Sequence, residues 1–157
     1  MRTLIARPLT ATSFAPYGEV LEAPGDAGRT YIEQALANGR PGAKPSLSFT
    51  LSKVPASLPF KVVQMERHQF SSQSFVPMDR GRFLVVVAPK LESGGPDAAR
   101  AEAFVGGPGQ GVTYGMDVWH HALTVLDAPM RFAIFMWLER SATDEEFVDV
   151  SPFAVSV

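Results

Sequence analysis

The sequence predicts a mainly β fold, a sandwich or closed barrel with a few short helices. Thirteen Gly and thirteen Pro punctuate its 157 residues at short intervals. Val, Phe and Ile gather between them, a composition that favours short strands joined by turns over a helical bundle. The number and even spacing of these apolar segments point to a sandwich or barrel. A chain of this length fits one domain, residues 1–157, and can bury roughly two thirds of the surface its unfolded form exposes.

Taken in order, residues 10–14 can form one helical turn before Pro16. Residues 22–45 are poor in strand formers and rich in Gly, Pro and charge, so they read as an irregular arm outside the core. A short helix is expected within that arm at 31–37, ended near Asn38 and Gly39. Strands are expected at 46–51, 60–66 and 69–75. The segment Met-Asp-Arg-Gly-Arg at 78–82 reads as a hairpin link with Gly81 in a left-handed conformation. A strand at 83–88 follows, then a polar loop at 91–100. Further strands are expected at 102–105, 111–114, 121–125 and 131–138, with a last capped turn at 143–146. No internal repeat or low-complexity tract divides the chain.

Charge and composition exclude several classes of function. Fourteen basic residues against sixteen acidic ones give a formal net charge of −2, and no Lys/Arg run can track a phosphate backbone. Neither nucleic acid nor an anionic membrane surface is an expected partner. The chain has no cysteine, which removes disulfides and thiolate metal sites and suits a reducing compartment. Arg7, Pro8 and a Thr/Ser cluster interrupt the first residues before a signal-peptide core can form, and no apolar run reaches membrane-spanning length. The expectation is a soluble, cytoplasmic protein.

All three histidines fall in two stretches, MERHQFSSQSF and DVWHHAL. In a strand, Val62, Gln64, Glu66 and His68 share one face and Arg67 points to the other. That face is unusually polar for a buried surface, so it belongs either in solvent or in a lined cavity. If the chain bends after Gln69, the Gln73 amide meets Glu66 and His68. His120 and His121 are adjacent, so only one of them can face the same pocket. His120 is taken as the inward residue and His121 as a rim residue, with the reverse assignment as the alternative. Tyr114 is either a hydrogen-bond donor to a ligand or a core aromatic, and Asp117 is read as a turn former. The Gly-rich run at 106–111 lacks the spacing of either a phosphate loop or a dinucleotide site.

The ordered set M-E-R-H-x-F-S-S-Q-S-F-V-P-M, F-L-V-V-V-A-P, A-F-V-x-x-x-x-Q-G-V-T-Y and V-W-H-H-A-L resembles the ureidoglycolate lyase family. So does the opening R-P-L-T-A-x-x-F-A-P-Y-G-E-V at residues 7–20. The resemblance implies a cupin-type double-stranded β-barrel, or jelly roll, and a homodimer. It implies cleavage of ureidoglycolate to glyoxylate and urea in allantoin degradation, a part of purine and nitrogen metabolism. In the cupin pattern Glu66, His68 and Gln73 take the first three polar positions and His120 the later histidine. Asp117 stands where cupins carry a turn glycine.

The chemistry needs one base and one proton donor. The catalytic candidates are His68, His120 and Glu66, with either histidine able to act as base and Glu66 to orient His68 or accept a substrate proton. The substrate-binding candidates are Gln73, Tyr114 and Arg40. Arg40 is chosen over Arg67 for the substrate carboxylate because strand parity turns Arg67 away. No cofactor is required. A divalent metal is possible on Glu66, His68 and His120, completed by Gln73 or water. The alternatives are another cupin enzyme acting on a small carboxylate, including ureidoglycolate amidohydrolase chemistry, and a small-carboxylate binding module.

Overall fold

The central strand of the computed structural model, which describes residues 1–157, is Phe-Leu-Val-Val-Val-Ala, and all six of its residues are buried. Alternation along a strand sends neighbours to opposite faces. Phe83, Val85 and Val87 enter one apolar cluster, and Leu84, Val86 and Ala88 enter a second. This strand therefore has protein on both sides, which explains a continuous apolar run in place of an alternating one.

In chain order the elements are β1 (Thr3–Ile5), β2 (Arg7–Pro8), α1 (Ala11–Phe14), β3 (Gly18–Leu21), β4 (Lys44–Ser52), β5 (Phe60–Arg67) and β6 (Gln73–Pro77). They continue as β7 (Phe83–Ala88), β8 (Glu102–Gly106), β9 (Gly111–Tyr114), β10 (Trp119–His120), β11 (Thr124–Val125), β12 (Met130–Leu138) and β13 (Glu146–Ser156). One sheet has the order β1-β13-β5-β10-β7-β8-β2, with β11 also paired to β7; the other has the order β3-β9-β6-β12-β4. Together they form the nearly closed double-stranded barrel expected of a cupin. Phe75, Val112, Tyr114 and Phe132 of the second sheet meet Phe83, Val85, Val87 and Phe104 of the first in the core between them. No helix is long and apolar enough to cross a membrane.

Several expectations need correction. The arm contains no helix at 31–37. Its backbone groups pair across to the start of β6 instead, through Gly39 N to Phe70 O at 2.8 Å and Ser72 N to Ala37 O at 3.0 Å. Residues 78–82 are not a hairpin, because β6 and β7 lie in different sheets and the segment crosses between them. Gly81 does not take the left-handed conformation. Of the strand expected at 121–125 only Thr124–Val125 forms, as β11, and His120 belongs to the separate short strand β10 just before it. β1, β2, β3 and β13 were not expected as strands. The register of β13 on β5 is irregular between Asp149 and Phe153, around Pro152, which cannot donate to a ladder. Near that irregularity Val62 joins Met65 in the second cluster, so the four-residue face read from VVQMERH is not continuous.

On β4, Ser46, Ser48 and Thr50 pair with Met136, Ile134 and Phe132, the inward side of β12. Leu47, Phe49 and Leu51 consequently stand on the outer side, and all three are exposed.

Gly106 sits opposite Phe83 in the β7/β8 ladder, and a Cβ there would lie 2.2 Å from the Phe83 ring. Gly106→Ala is expected to destabilise the fold by about 1–3 kcal/mol through overpacking. A lowered urea midpoint, partly restored by adding Phe83→Leu, is the corresponding measurement.

Candidate active site

The polar cluster lies where one row of residues from each sheet meets. In the first sheet the cross-strand row runs Phe147, Glu66, His120, Val87. In the second it runs Ser46, Met136, Gln73, Tyr114. Residues opposite each other across a ladder share a face, so the alternation of each strand carries these side chains into the barrel together. His68, one residue past β5, completes the group, with its ring centroid 5.5 Å from that of His120. Glu66, His68 and His120 offer ligand atoms all within 4.8 Å of one another.

His120 is the centre of the site. It is 1% exposed, and its ring stacks on Tyr114 at 4.1 Å with the planes 13° apart. Its Nδ1 is 2.9 Å from the Val118 carbonyl oxygen, and its Nε2 is 3.2 Å from Gln73 Oε1 and 3.4 Å from Glu66 Oε1. Every one of these neighbours is an oxygen, so a positive centre at Nε2, either a proton or a cation, matches the geometry. The preceding turn aims the ring. Asp117 adopts φ 64°, the left-handed conformation for which cupins use glycine, and its backbone N donates to the His68 carbonyl at 2.9 Å.

His68 is arranged differently. Its Nδ1 lies 2.9 Å from the Asp144 carbonyl oxygen. That oxygen can only accept, so Nδ1 carries the proton and Nε2 presents a lone pair. Nε2 is buried without a hydrogen-bond partner. Burial, and then the neighbouring His120 charge, push the His68 pKa below its ordinary value, against the Asp144 carbonyl and Glu66. Burial alone would raise the Glu66 pKa, but the His120 contact and the charges of His68 and His121 outweigh it and hold the carboxyl below its usual range. The Tyr114 hydroxyl is also buried and unpartnered. Burial and Glu66 keep it firmly protonated, so it is available only as a donor or neutral acceptor.

His121 points elsewhere, packing edge-on against Phe60 at 5.2 Å. With Glu66 and Phe147 it borders a 50 Å³ void at the edge of the cluster, room for about one or two waters. Phe147 at its edge is half-exposed. The largest cleft, 540 Å³, lies between α1, β3 and the turn at Gly115 to Val118 and contains none of the cluster.

Arg67 turns away as parity predicts, pairing with Glu146 and Asp117 and lying 4.5 Å over the Trp119 ring. Arg40 lies beside the loop between β12 and β13. Its two Nη atoms are engaged by Glu139, Thr143 and Asp144, and its guanidinium sits over Phe70. Phe147 and Asp144 were not singled out in the sequence. The alternation F-V-D-V at 147–150 was the available signal for Phe147. Asp144 reaches the site through a backbone carbonyl, which no residue type announces.

The family model for ureidoglycolate lyase matches residues 1–156. The chain belongs to the ureidoglycolate lyase family. Among similar proteins, a ureidoglycolate lyase of Chelativorans sp. is 37% identical over 164 residues, covering 99% of this chain and 97% of that one. One from Burkholderia mallei is 38% identical, with 85% and 82% covered. One from Mesorhizobium japonicum is 36% identical, with 85% of each covered.

For this family member, one carboxylate and two imidazole Nε2 atoms form a donor set that suits a first-row divalent ion, and the unpartnered Nε2 of His68 fits the same use. Metal bonds of roughly 2.0–2.2 Å need the three ligands to draw in slightly from their present spacing. Titration of metal-stripped protein with Ni²⁺ or Mn²⁺ is expected to saturate at one ion per chain by calorimetry. His120→Ala is expected to abolish that binding.

Proposed function

We propose that the chain, one cupin-like domain with the arm of residues 22–45 folded onto it, cleaves ureidoglycolate to glyoxylate and urea. The observation that carries this reading is the convergence of Glu66, His68, Gln73 and His120 on one buried point in a member of this family. Ureidoglycolate has a single carbon bearing a hydroxyl, a carboxylate and a ureido nitrogen. Loss of the hydroxyl proton allows the oxygen to form the aldehyde carbonyl. The carbon–nitrogen bond breaks with its electron pair going to nitrogen, which takes up a proton, and no water enters the balance.

We assign His68 Nε2 as the base, because its lone pair is the unpartnered one. His120, held between the Glu66 carboxylate and Gln73, delivers a proton to the departing nitrogen, and after product release the proton taken up by His68 passes to solvent while His120 regains one from it. Gln73 accepts from the urea N–H groups, and the free Tyr114 hydroxyl donates to a urea or carboxylate oxygen. An ion on Glu66, His68 and His120 would supply polarisation of the hydroxyl oxygen and charge opposite the carboxylate. The lone pair of His68 that would hold it is also the one that accepts a proton in its absence, so both metal-stripped and metal-loaded protein belong in the assay. Arg40, expected at the substrate carboxylate, has its Nη atoms engaged by Glu139, Thr143 and Asp144 of the loop.

The exposed apolar row Leu47, Phe49 and Leu51 on an edge strand supports the homodimer reading, because such a face is covered when two copies meet. We place the enzyme in the cytoplasm, in allantoin-derived nitrogen metabolism.

Product analysis is the test. Equimolar urea and glyoxylate are expected from one enantiomer of ureidoglycolate. Ammonia in place of urea would establish amidohydrolase chemistry, and saturable binding without product would establish a binding module. His120→Ala is expected to lower kcat/KM by about 10²–10⁴-fold with an unchanged circular dichroism spectrum. Tyr114→Phe removes a buried hydroxyl that has no partner in the folded protein. It is expected to leave stability unchanged or raise it by about 1 kcal/mol, while kcat/KM falls about tenfold for the lost substrate hydrogen bond.

A further inference from the structure

We propose that Asp144, held by Arg40, is the positioning residue that fixes the tautomer and orientation of His68. Asp144 does not reach the pocket with its side chain. Its backbone carbonyl does, accepting a hydrogen bond from His68 Nδ1–H at 2.9 Å and so leaving Nε2 as the lone-pair nitrogen of the site. Asp144 lies in the irregular stretch between β12 and β13, where no ladder holds the backbone.

What holds that carbonyl is the residue's own carboxylate. Oδ1 accepts from the backbone N–H of Glu139 at 3.0 Å and Oδ2 from that of Ser141 at 3.1 Å. Arg140 between them takes φ 64°, the tight return that aims successive N–H groups at one anion. Arg40 closes the arrangement by donating Nη2 to Oδ1. It also donates Nη1 to Thr143 Oγ1 at 3.1 Å, and its side chain is only 12% exposed. Arg40 is itself fixed, since its arm is bonded to Phe70 and Ser72 beside the first residue of β6. A chain of short contacts thus runs from the arm through Arg40 and Asp144 to the imidazole.

The kinetic part of this inference rests on the function proposed above; the tautomer part does not. The three histidines of ¹⁵N-labelled full-length protein can be resolved in long-range ¹H–¹⁵N spectra of the imidazole rings. Wild type is expected to show His68 protonated on Nδ1. Asp144→Ala and Arg40→Ala, with circular dichroism unchanged, are expected to give a mixture of His68 tautomers, and kcat is expected to fall about tenfold or more with KM changed less than about threefold. Asp144→Asn, which keeps an acceptor oxygen but not the charge, should fall between Asp144→Ala and wild type. Folded variants that keep the Nδ1–H signature and wild-type kcat would overturn the proposal. Should Asp144→Ala fail to fold, Arg40→Ala and Arg40→Lys decide on the same two readouts. Absence of urea from the wild-type assay would refute the assigned reaction while leaving the tautomer comparison interpretable.

Discussion

The architecture of the site depends on seating one imidazole at the seam between two sheets. His120 comes from one sheet, where Glu66 is its ladder partner, and rests against Tyr114 and Gln73 of the other. An unpaired polar group buried this deeply costs more than a hydrogen bond contributes. The ring nitrogens of His120 therefore need polar partners, and the Val118 carbonyl on one side and Glu66 and Gln73, one from each sheet, on the other provide them. Glu66 and Gln73 meet that requirement, and the turn at Asp117 leads the chain into the strand that carries the ring.

Much of this was legible in the sequence because strand parity is local. Glu66 and His68 two residues apart, and His120 beside His121, are statements about which way side chains point, and the barrel honours both. The family motifs then tied together segments that no local rule connects. Legibility failed where tertiary pairing overrode propensity. Tyr31 to Ala37 has a passable helical composition, but the backbone N–H of Ala35 goes to the Glu19 carboxylate and Ala37 bonds to Ser72. β13 escaped because acidic residues and Pro152 obscure its alternation, and β1 and β2 because they are short strands whose parallel partners are distant in sequence. The link at 78–82 resembled a hairpin because turn chemistry does not record whether the next strand joins the same sheet. Asp144 left no mark because its contribution is a carbonyl that any residue possesses.

The cluster differs from an open binding cleft in how it treats water. Its polar atoms are enclosed, and the void beside Glu66 is small, whereas the roomier cleft near α1 has no titratable cluster. Low local polarity strengthens each charge–charge contact within the cluster, which is why the Glu66 carboxyl remains ionised despite burial. A reaction that only moves protons and breaks one bond gains from limited solvent access, since water at the reacting carbon would open a hydrolytic route.

The serine-inward, leucine-outward character of β4 has a consequence for handling the protein. Its far edge leaves a row of main-chain donors and acceptors unmatched, beside a greasy stripe. A solitary copy in concentrated solution is thereby open to strand addition from any extended peptide that meets it.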